Sequence, residues 1–144
     1  MKVTLERVNS KVHFRATNPE GLTVDIDGAE RVGGEGGGFR PMQLVLAAHA
    51  GCTVMDLVPI LEKQRQRLDD ITMEITGDRG EGVPSPFTSI HIHYRLFGEI
   101  DEQKAARAID LAVNRYCSVG EMLQHSVKIT SSFEINPARS QEGA

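Results

Sequence analysis

The feature that most constrains the fold of this chain is an apolar run with helical spacing over residues 41–58. Apolar residues recur at successive helical turns, and small residues at 47–51 allow another backbone to approach closely. Because apolar side chains also cover much of the opposite side, we expect a central helix that is buried nearly all round. Polar residues interrupt the run, which argues against a membrane span. Pro59 predicts a kink or break, because proline cannot donate a hydrogen bond to the carbonyl of Met55.

Shorter strand and helix patterns surround this helix. Alternating apolar residues between turn signals predict strands over residues 3–8, 12–16, 22–26, 71–76, 88–97 and 127–135. Asp101 is a predicted N-cap of an amphipathic helix. Ser118 opens a capping-box pattern, which starts a new short helix directly after Cys117. We therefore expect an α+β fold, with residues 1–144 in one domain and a disordered tail over residues 136–144.

Length, charge and the N-terminus narrow the class of protein. A chain of 144 residues is long enough to bury one core. Its net charge is −4 and it has no basic run, which argues against a nucleic-acid-binding surface. The N-terminus lacks the apolar segment and the small-residue cleavage site of a signal peptide, so we expect a cytoplasmic protein. In that reducing compartment a disulfide between the two cysteines would be transient and catalytic rather than structural.

Two patterns that often hold ligands are incomplete in this chain. The glycine-rich stretch over residues 32–38 lacks the ending of a phosphate-binding loop and fits no dinucleotide-binding spacing, so we interpret it as a mobile connector. His91 and His93 point to one face of a predicted strand, but no second spaced pair of ligands accompanies them. We therefore expect neither a metal site nor a cofactor.

The candidate nucleophile is Cys52, which lies beside a polar stripe of His49, Thr53 and Asp56 on the predicted helix. A neighbouring cation would favour the thiolate, whereas Asp56 alone would disfavour it. A reactive Cys52 therefore needs a positive group nearby. The alternative is a free cysteine that packs as a small apolar side chain, the common fate of buried cysteines. The residues alone leave both interpretations open.

Several segments together carry a family resemblance. Residues 41–58 resemble the cysteine-bearing helix of the OsmC/Ohr superfamily, and residues 115–123 resemble its second cysteine motif. Residues 87–94 and 108–112 are also similar, nearest to the YhfA-like branch. The resemblance implies antiparallel sheets with a long central cysteine-bearing helix and a second, C-terminal helix. It also implies an intertwined homodimer with active sites at the subunit interface.

The same resemblance implies thiol-dependent reduction of organic hydroperoxides in oxidative stress defence. By position, Cys52 matches the peroxidatic cysteine, which becomes a sulfenic acid. Cys117 matches the resolving cysteine, which forms a disulfide with it. Arg15 is the best match to the arginine that stabilises the thiolate. The implied partners are an organic hydroperoxide and a small dithiol or a lipoyl- or thioredoxin-type reductant.

One position departs from the family pattern. Peroxidase members carry a glutamate that orients the arginine, and here that position holds Met42, which cannot accept a charge-assisted hydrogen bond. Arg15 then needs another carboxylate, such as Asp56 or one from a partner chain, and His49 is a candidate substitute for the thiol-activating group. The departure keeps an alternative function open: a non-enzymatic dimer that binds an apolar small ligand at the subunit interface, with both cysteines as packing.

Overall fold

The structure is a computed structural model, and it describes residues 1–139. The described residues contain two three-stranded sheets and three α-helices, so the predicted α+β class is confirmed. The chain divides into two compact units, one formed by Met1–Val45 and the other beginning at Leu46. The prediction of a single domain over residues 1–144 stays a prediction.

The N-terminal unit contains the predicted antiparallel meander. Its strands are shorter than the sequence suggested: β1 (Thr4–Arg7), β2 (Phe14–Thr17) and β3 (Thr23–Ile26). They pair in sequence order, each antiparallel to the next. In this register Arg15 on β2 lies directly opposite Asp25 on β3. Cross-strand neighbours of opposite charge attract each other, so the meander itself supplies Arg15 with a carboxylate.

The glycine-rich segment makes hydrogen bonds that its composition did not predict. The buried Asp27 carboxylate accepts backbone N–H bonds from Gly28 at 2.7 Å, Glu35 at 3.1 Å and Gly37 at 2.9 Å. These bonds, with that from Gly37 first, hold the pKa of Asp27 below its usual value. A single carboxylate outside the glycine run therefore contacts the backbone of the loop at Glu35 and Gly37, and the mobility of the loop stays a prediction.

The long apolar run forms one helix, α1 (Pro41–Lys63), which continues through Pro59. The predicted break is therefore wrong, while a bend of the helix at Pro59 stays a prediction. Proline leaves the Met55 carbonyl without its helical donor, but Met55 is 73% exposed, so solvent can satisfy that carbonyl. The helix closes instead at Arg65, which adopts a left-handed conformation with φ of 56°. There the N–H of Gln66 bonds the carbonyl of Leu61, a Schellman-type ending.

Within one chain, α1 is buried on one side only. Its buried residues are His49, Ala50, Thr53, Leu57 and Leu61. Ala47, Ala48, Met55 and Val58 are exposed, so the prediction of burial nearly all round is wrong for the single chain. By length and apolar composition α1 passes the test for a membrane-spanning helix, as the core helix of a soluble protein also can. Since the buried side includes the two polar residues His49 and Thr53, we retain the interpretation of a packed helix.

The C-terminal unit is organised by a sheet with β5 (Phe87–Glu99) at its centre. This strand is antiparallel to β4 (Arg67–Arg79) and parallel to β6 (Lys128–Ile135). The antiparallel sheets implied by the family resemblance are therefore wrong for this mixed sheet and right for the N-terminal meander. Its alternate residues face the core as predicted, with Ile90, Ile92, Tyr94 and Leu96 all buried. The opposite face carries the histidines and Arg95.

The connection from β5 to β6 carries the second cysteine. Asp101 caps α2 (Glu102–Leu111) as predicted, accepting the N–H of Lys104 at 3.0 Å. A π-helical segment, Ala112–Tyr116, follows, and α3 (Ser118–Leu123) begins directly after Cys117. The predicted helix break at Cys117 is confirmed, but the cap differs. Cys117 rather than Ser118 is the N-cap, because its sulfur accepts the N–H of Gly120.

The end of the described chain returns to the sheet. The side chain of Asn136 exchanges two hydrogen bonds with the backbone of Gly98, each 2.9 Å long. Arg139 lies over the ring of Phe97, 4.6 Å from its centre. These contacts order the start of the segment predicted as a disordered tail. Residues 140–144, the rest of that segment, lie outside the described residues.

Candidate functional site

The two cysteines are neighbours in the C-terminal unit, Cys52 on α1 and Cys117 between the π-helical segment and α3. Both are free thiols, with Cys52 half-buried and Cys117 buried. Burial raises the pKa of Cys117 to about 11, the hydrogen bond from Gly120 opposes the rise, and the nearby Cys52 thiol adds to it. The structure thus brings together two residues that are far apart in the sequence.

Cys117 is held by backbone groups. The N–H of Gly120 donates to its sulfur over 3.1 Å. Its own thiol points towards the backbone carbonyl of His49, with 4.0 Å between sulfur and oxygen. Cys117 is only 3% exposed, so its thiol reacts chiefly with groups that the fold itself presents. Cys52 is the one of the pair that contacts solvent.

His49 is fully buried yet makes no side-chain hydrogen bond. It is 0% exposed, and neither Nδ1 nor Nε2 has a hydrogen-bond partner among the described residues. Burial lowers the pKa of His49, so its neutral form is favoured. This disfavours the protonated His49 that the sequence offered as a cation for Cys52. Leaving a buried polar group unpaired lowers the stability of the fold by about 1–3 kcal/mol, so packing alone does not account for an imidazole at this position.

A buried hydroxyl pair lies one helical turn from His49. The Tyr94 hydroxyl donates to Thr53 Oγ1 over 2.7 Å, and Thr53 Oγ1 donates to the carbonyl of Ala50 over 2.8 Å. Burial raises the pKa of Tyr94 to about 12, with a further contribution from Cys117, against the hydrogen bond to Thr53. The sequence placed Thr53 in the polar stripe and Tyr94 within the predicted strand over residues 88–97. The strand alternation shows that Tyr94 is buried, but not which polar group it meets.

An open pocket of about 400 Å³ lies beside the cysteine-bearing segments. It is bordered by Asp56, one helical turn beyond Cys52, and by Tyr116, which directly precedes Cys117. Its remaining lining residues are Pro59, Ile60, Lys63, Gln64 and Leu111. The mixture of aliphatic walls with one carboxylate and one ammonium group suits a mainly apolar ligand with a polar end.

Arg15, the third predicted site residue, is in the N-terminal unit and is held by Asp25. The contact is bidentate, with Nε 2.7 Å from Oδ1 and Nη2 3.0 Å from Oδ2. His13 Nε2 lies 3.0 Å from the same Oδ2. These contacts, with the Arg15 hydrogen bond first, lower the pKa of Asp25 to about 2. The carboxylate is therefore not the Asp56 or partner residue suggested by the sequence, although the register of the predicted meander could have identified it.

His91 and His93 make ordinary hydrogen bonds on the outer face of the sheet. His91 bonds the hydroxyls of Thr130 and Ser132, at 2.7 Å and 2.8 Å. His93 bonds Ser132 at 2.8 Å and Glu134 at 3.2 Å. Within residues 1–139 no group of three or more His, Cys, Asp or Glu side chains is placed to hold a metal ion. These histidines connect β5 to β6.

This chain is similar in sequence and in structure to known proteins. The sequence model of the OsmC-like protein family matches residues 34–132. Protein YhfA of Escherichia coli strain K12 is 42% identical over 96 residues, which cover 66% of this chain and 72% of that protein. A crystal structure of a hypothetical protein from Aquifex aeolicus VF5 is 29% identical with a TM-score of 0.79, covering 94% of this chain and 97% of that one.

A more distant structural neighbour has a name that refers to function. It is an organic hydroperoxide resistance protein OsmC from Legionella pneumophila, 19% identical with a TM-score of 0.71. The likeness covers 93% of this chain and 97% of that one. At that identity it shows the fold alone.

The hydroxyl pair gives a stability prediction. Tyr94→Phe removes the donor to Thr53 while keeping the ring, so we expect the free energy of unfolding to fall by about 1–2 kcal/mol. Tyr116→Phe, at a position that is 51% exposed, is the matched control and should change stability little. Urea unfolding followed by circular dichroism measures both. Equal midpoints for the two variants would contradict the assignment of a stabilising bond to Tyr94.

Proposed function

This chain is a member of the OsmC-like protein family, and on that premise we propose that it reduces organic hydroperoxides through a cycle of Cys52 and Cys117. The observation that carries the proposal is the pairing of a half-buried thiol with a buried one. In this proposal a peroxide reaches the half-buried thiol first, and the buried thiol then reacts with the oxidised product. The name of the Legionella pneumophila neighbour gives the same chemical theme.

The proposed reaction has three steps. The Cys52 thiolate attacks the distal oxygen of the hydroperoxide, the O–O bond breaks, and an alcohol leaves after taking up a proton. Cys52 is then a sulfenic acid, which condenses with Cys117 to a disulfide and releases water. A small dithiol or a lipoyl- or thioredoxin-type protein reduces the disulfide by thiol–disulfide exchange. Each turnover consumes one hydroperoxide and oxidises one external dithiol.

Burial supports the proposed roles of the two cysteines. The raised pKa of Cys117, about 11, keeps its thiol protonated at neutral pH, and protonated thiols attack peroxides poorly. Its low exposure also keeps it from bulky substrates. Cys52 has the access that the first step needs, and the pocket bordered by Asp56 and Tyr116 gives an alkyl group apolar surface to contact. We therefore propose a preference for alkyl hydroperoxides over hydrogen peroxide.

Arg15 is proposed as the cation that stabilises the Cys52 thiolate and the leaving oxygen. Met42 cannot orient it, but Asp25 holds the guanidinium through two bonds. Because the pKa of Asp25 is lowered to about 2, the carboxylate stays ionised throughout the physiological pH range. Asp25 thus supplies the charged acceptor that the family pattern places on the glutamate. The side chain of Arg15 is also 48% exposed, so a substrate can reach it.

A homodimer in the cytoplasm is the proposed setting. The exposed side of α1 carries Ala47, Ala48, Met55 and Val58, and a second copy of the chain would cover these apolar groups. The cytoplasm is reducing, which keeps both cysteines available as thiols between turnovers.

A second candidate function is an apolar-ligand-binding dimer without redox chemistry. Met42 in place of the family glutamate and the exposed apolar side of α1 favour it. In this case both cysteines pack as small side chains and the pocket holds the ligand. The two functions differ in whether Cys52 is consumed by a hydroperoxide.

The cysteine variants test the redox cycle. Cys52→Ser should abolish turnover of cumene hydroperoxide with dithiothreitol or dihydrolipoamide as reductant. Cys117→Ser should stop after the first step, with one sulfenic acid per chain that dimedone traps. Peroxide consumption and intact mass measure the two outcomes. Equal, slow consumption by the wild-type protein and Cys52→Ser would replace the redox function with the binding function.

The arginine contact is tested in the Cys117→Ser background, where only the first step occurs. Arg15→Ala should slow oxidation of Cys52, because the thiolate and the leaving oxygen lose their cation. Asp25→Asn should have a smaller effect in the same direction, because the guanidinium remains but loses its charged anchor. Arg67→Ala, which removes an exposed arginine paired with Asp69, is the control. Oxidation of Arg15→Ala at the control's rate would remove Arg15 from the mechanism.

The oligomeric state tests the role of the exposed side of α1. Light scattering at micromolar concentration should show a dimer. Met55→Glu should weaken it, because a carboxylate would be buried without a partner. Met122→Glu, at another exposed methionine, should leave the dimer intact. A folded wild-type monomer at that concentration would contradict the proposal.

A further inference from the structure

The three steps of the proposed cycle do not involve the buried imidazole of His49. Both of its ring nitrogens lack a partner among the described residues, and the side chain is wholly buried. Such a group needs a physical reason for its presence. Its position relative to Cys117 supplies one.

Gly120 defines a small gap that both side chains border. A methyl group at Gly120 would lie 3.2 Å from His49 Nε2 and 3.4 Å from Cys117 Sγ. Glycine has only a hydrogen atom at this position, so the space beside the imidazole and the sulfur stays free of side-chain atoms. The same glycine donates its N–H to that sulfur over 3.1 Å. The backbone thus orients the Cys117 sulfur, and the imidazole and the sulfur border the same small space, although the thiol itself points towards the His49 backbone carbonyl.

The second step of the cycle creates a need for a base. Cys117 must attack the Cys52 sulfenic acid as a nucleophile, yet its burial favours the protonated thiol. The hydroxyl of Tyr94 is also protonated, because its pKa is raised. Cys52 is itself the oxidised partner in this step. Within residues 1–139, His49 borders the same space as the buried thiol, and its neutral imidazole has a lone pair without a hydrogen-bond donor.

We propose that His49 accepts the proton of the Cys117 thiol while the disulfide with Cys52 forms. This inference rests on the peroxide reduction proposed above and deepens its second step. The proton passes from Cys117 Sγ to a ring nitrogen of His49 as the Cys117 sulfur attacks Cys52 Sγ. The S–S bond forms, the S–O bond of the sulfenic acid breaks, and the leaving hydroxide takes the proton from His49 to become water. Because the proton moves during the attack, no free Cys117 thiolate has to accumulate.

The surroundings of His49 favour this role. Cys117 and Gly120 approach the imidazole from the α3 side, and the described structure places no carboxylate in hydrogen bond with it. On α1 itself Cys52 follows within one turn, and Asp56 lies two turns away at the pocket. From β5, Tyr94 is occupied by its bond to Thr53. Burial lowers the pKa of His49, so the base is neutral and ready at physiological pH.

The test separates the two chemical steps in a single turnover. Reduced protein is mixed with one equivalent of cumene hydroperoxide. Dimedone capture reports the Cys52 sulfenic acid, and loss of both thiols reports the disulfide. His49→Gln should form the sulfenic acid at the wild-type rate but form the disulfide more slowly by about 10²-fold, the usual contribution of a general base. His125→Gln, at an exposed histidine, should match the wild type in both steps.

The pH profile distinguishes a proton acceptor from a packing residue. In the wild type the rate of disulfide formation should be nearly constant above neutral pH and fall in acid. The fall should occur below pH 6.5, because burial lowers the His49 pKa from that value. In His49→Gln the rate should instead rise about tenfold per pH unit, since only the Cys117 thiolate then reacts.

A second variant covers the case in which His49→Gln unfolds. Gly120→Ala places a methyl group 3.2 Å from His49 Nε2 and 3.4 Å from Cys117 Sγ, so the imidazole must shift by a few tenths of an ångström. It keeps both side chains and should slow disulfide formation without slowing sulfenic acid formation. Thermal melting checks that each variant is folded. Disulfide formation at the wild-type rate, with the wild-type pH profile, in whichever variant folds would overturn the role of His49 and leave peroxide reduction standing. A wild-type protein that forms no sulfenic acid would refute the proposed function and, with it, this step.

Discussion

The close packing of the Cys117 segment against α1 is the contact on which the rest of the site depends. Gly120 makes it possible, because any larger residue would meet the imidazole of His49 and the sulfur of Cys117. The same residue fixes the sulfur through its N–H. The π-helical segment before Cys117 and α3 after it give the chain the change of direction that this approach requires. One glycine therefore lets the buried Cys117 pack against the helix that carries the half-buried Cys52.

A gradient of burial across this contact separates the chemical roles. Cys52 is half-buried at the edge, whereas Cys117 and His49 lie inside. Low polarity in the interior keeps the Cys117 thiol protonated and the His49 imidazole neutral, which makes one a proton donor and the other an acceptor. Tyr94 and Thr53 complete the polar interior by satisfying each other. The chemistry proposed for the site thus follows from how deeply each group is buried.

The sequence predicted the elements better than their contacts. Local patterns found the meander, the alternation along β5, the Asp101 cap and the break at Cys117, because each depends on a few adjacent residues. The predictions that failed concern contacts between residues that are far apart in the sequence. The composition of the glycine loop likewise did not predict its bonds to Asp27, which lies outside it.

The errors at the candidate site have the same origin. Pro59 stays within α1, although the residue whose carbonyl it leaves without a helical donor, Met55, lies on the exposed side of the helix, and no pattern in the sequence reports exposure. For Arg15 the register of β2 and β3 selected Asp25 over the more conspicuous Asp56. The gap beside Gly120 has no sequence signal at all, because a glycine in a short helix does not indicate what it leaves room for. The family resemblance supplied the pairing of the cysteines, and the fold supplied the imidazole beside them.

The most direct test of the central claim is the state of the two cysteines after reaction with one equivalent of an organic hydroperoxide. Acid-quenched protein, digested without reduction and analysed by mass spectrometry, should yield a peptide in which Cys52 is joined to Cys117. The intact chain should have lost two hydrogen atoms and gained no oxygen. Recovery of both cysteines as free thiols, or of Cys52 overoxidised to a sulfinic acid with Cys117 untouched, would contradict the claim that these residues form one redox pair.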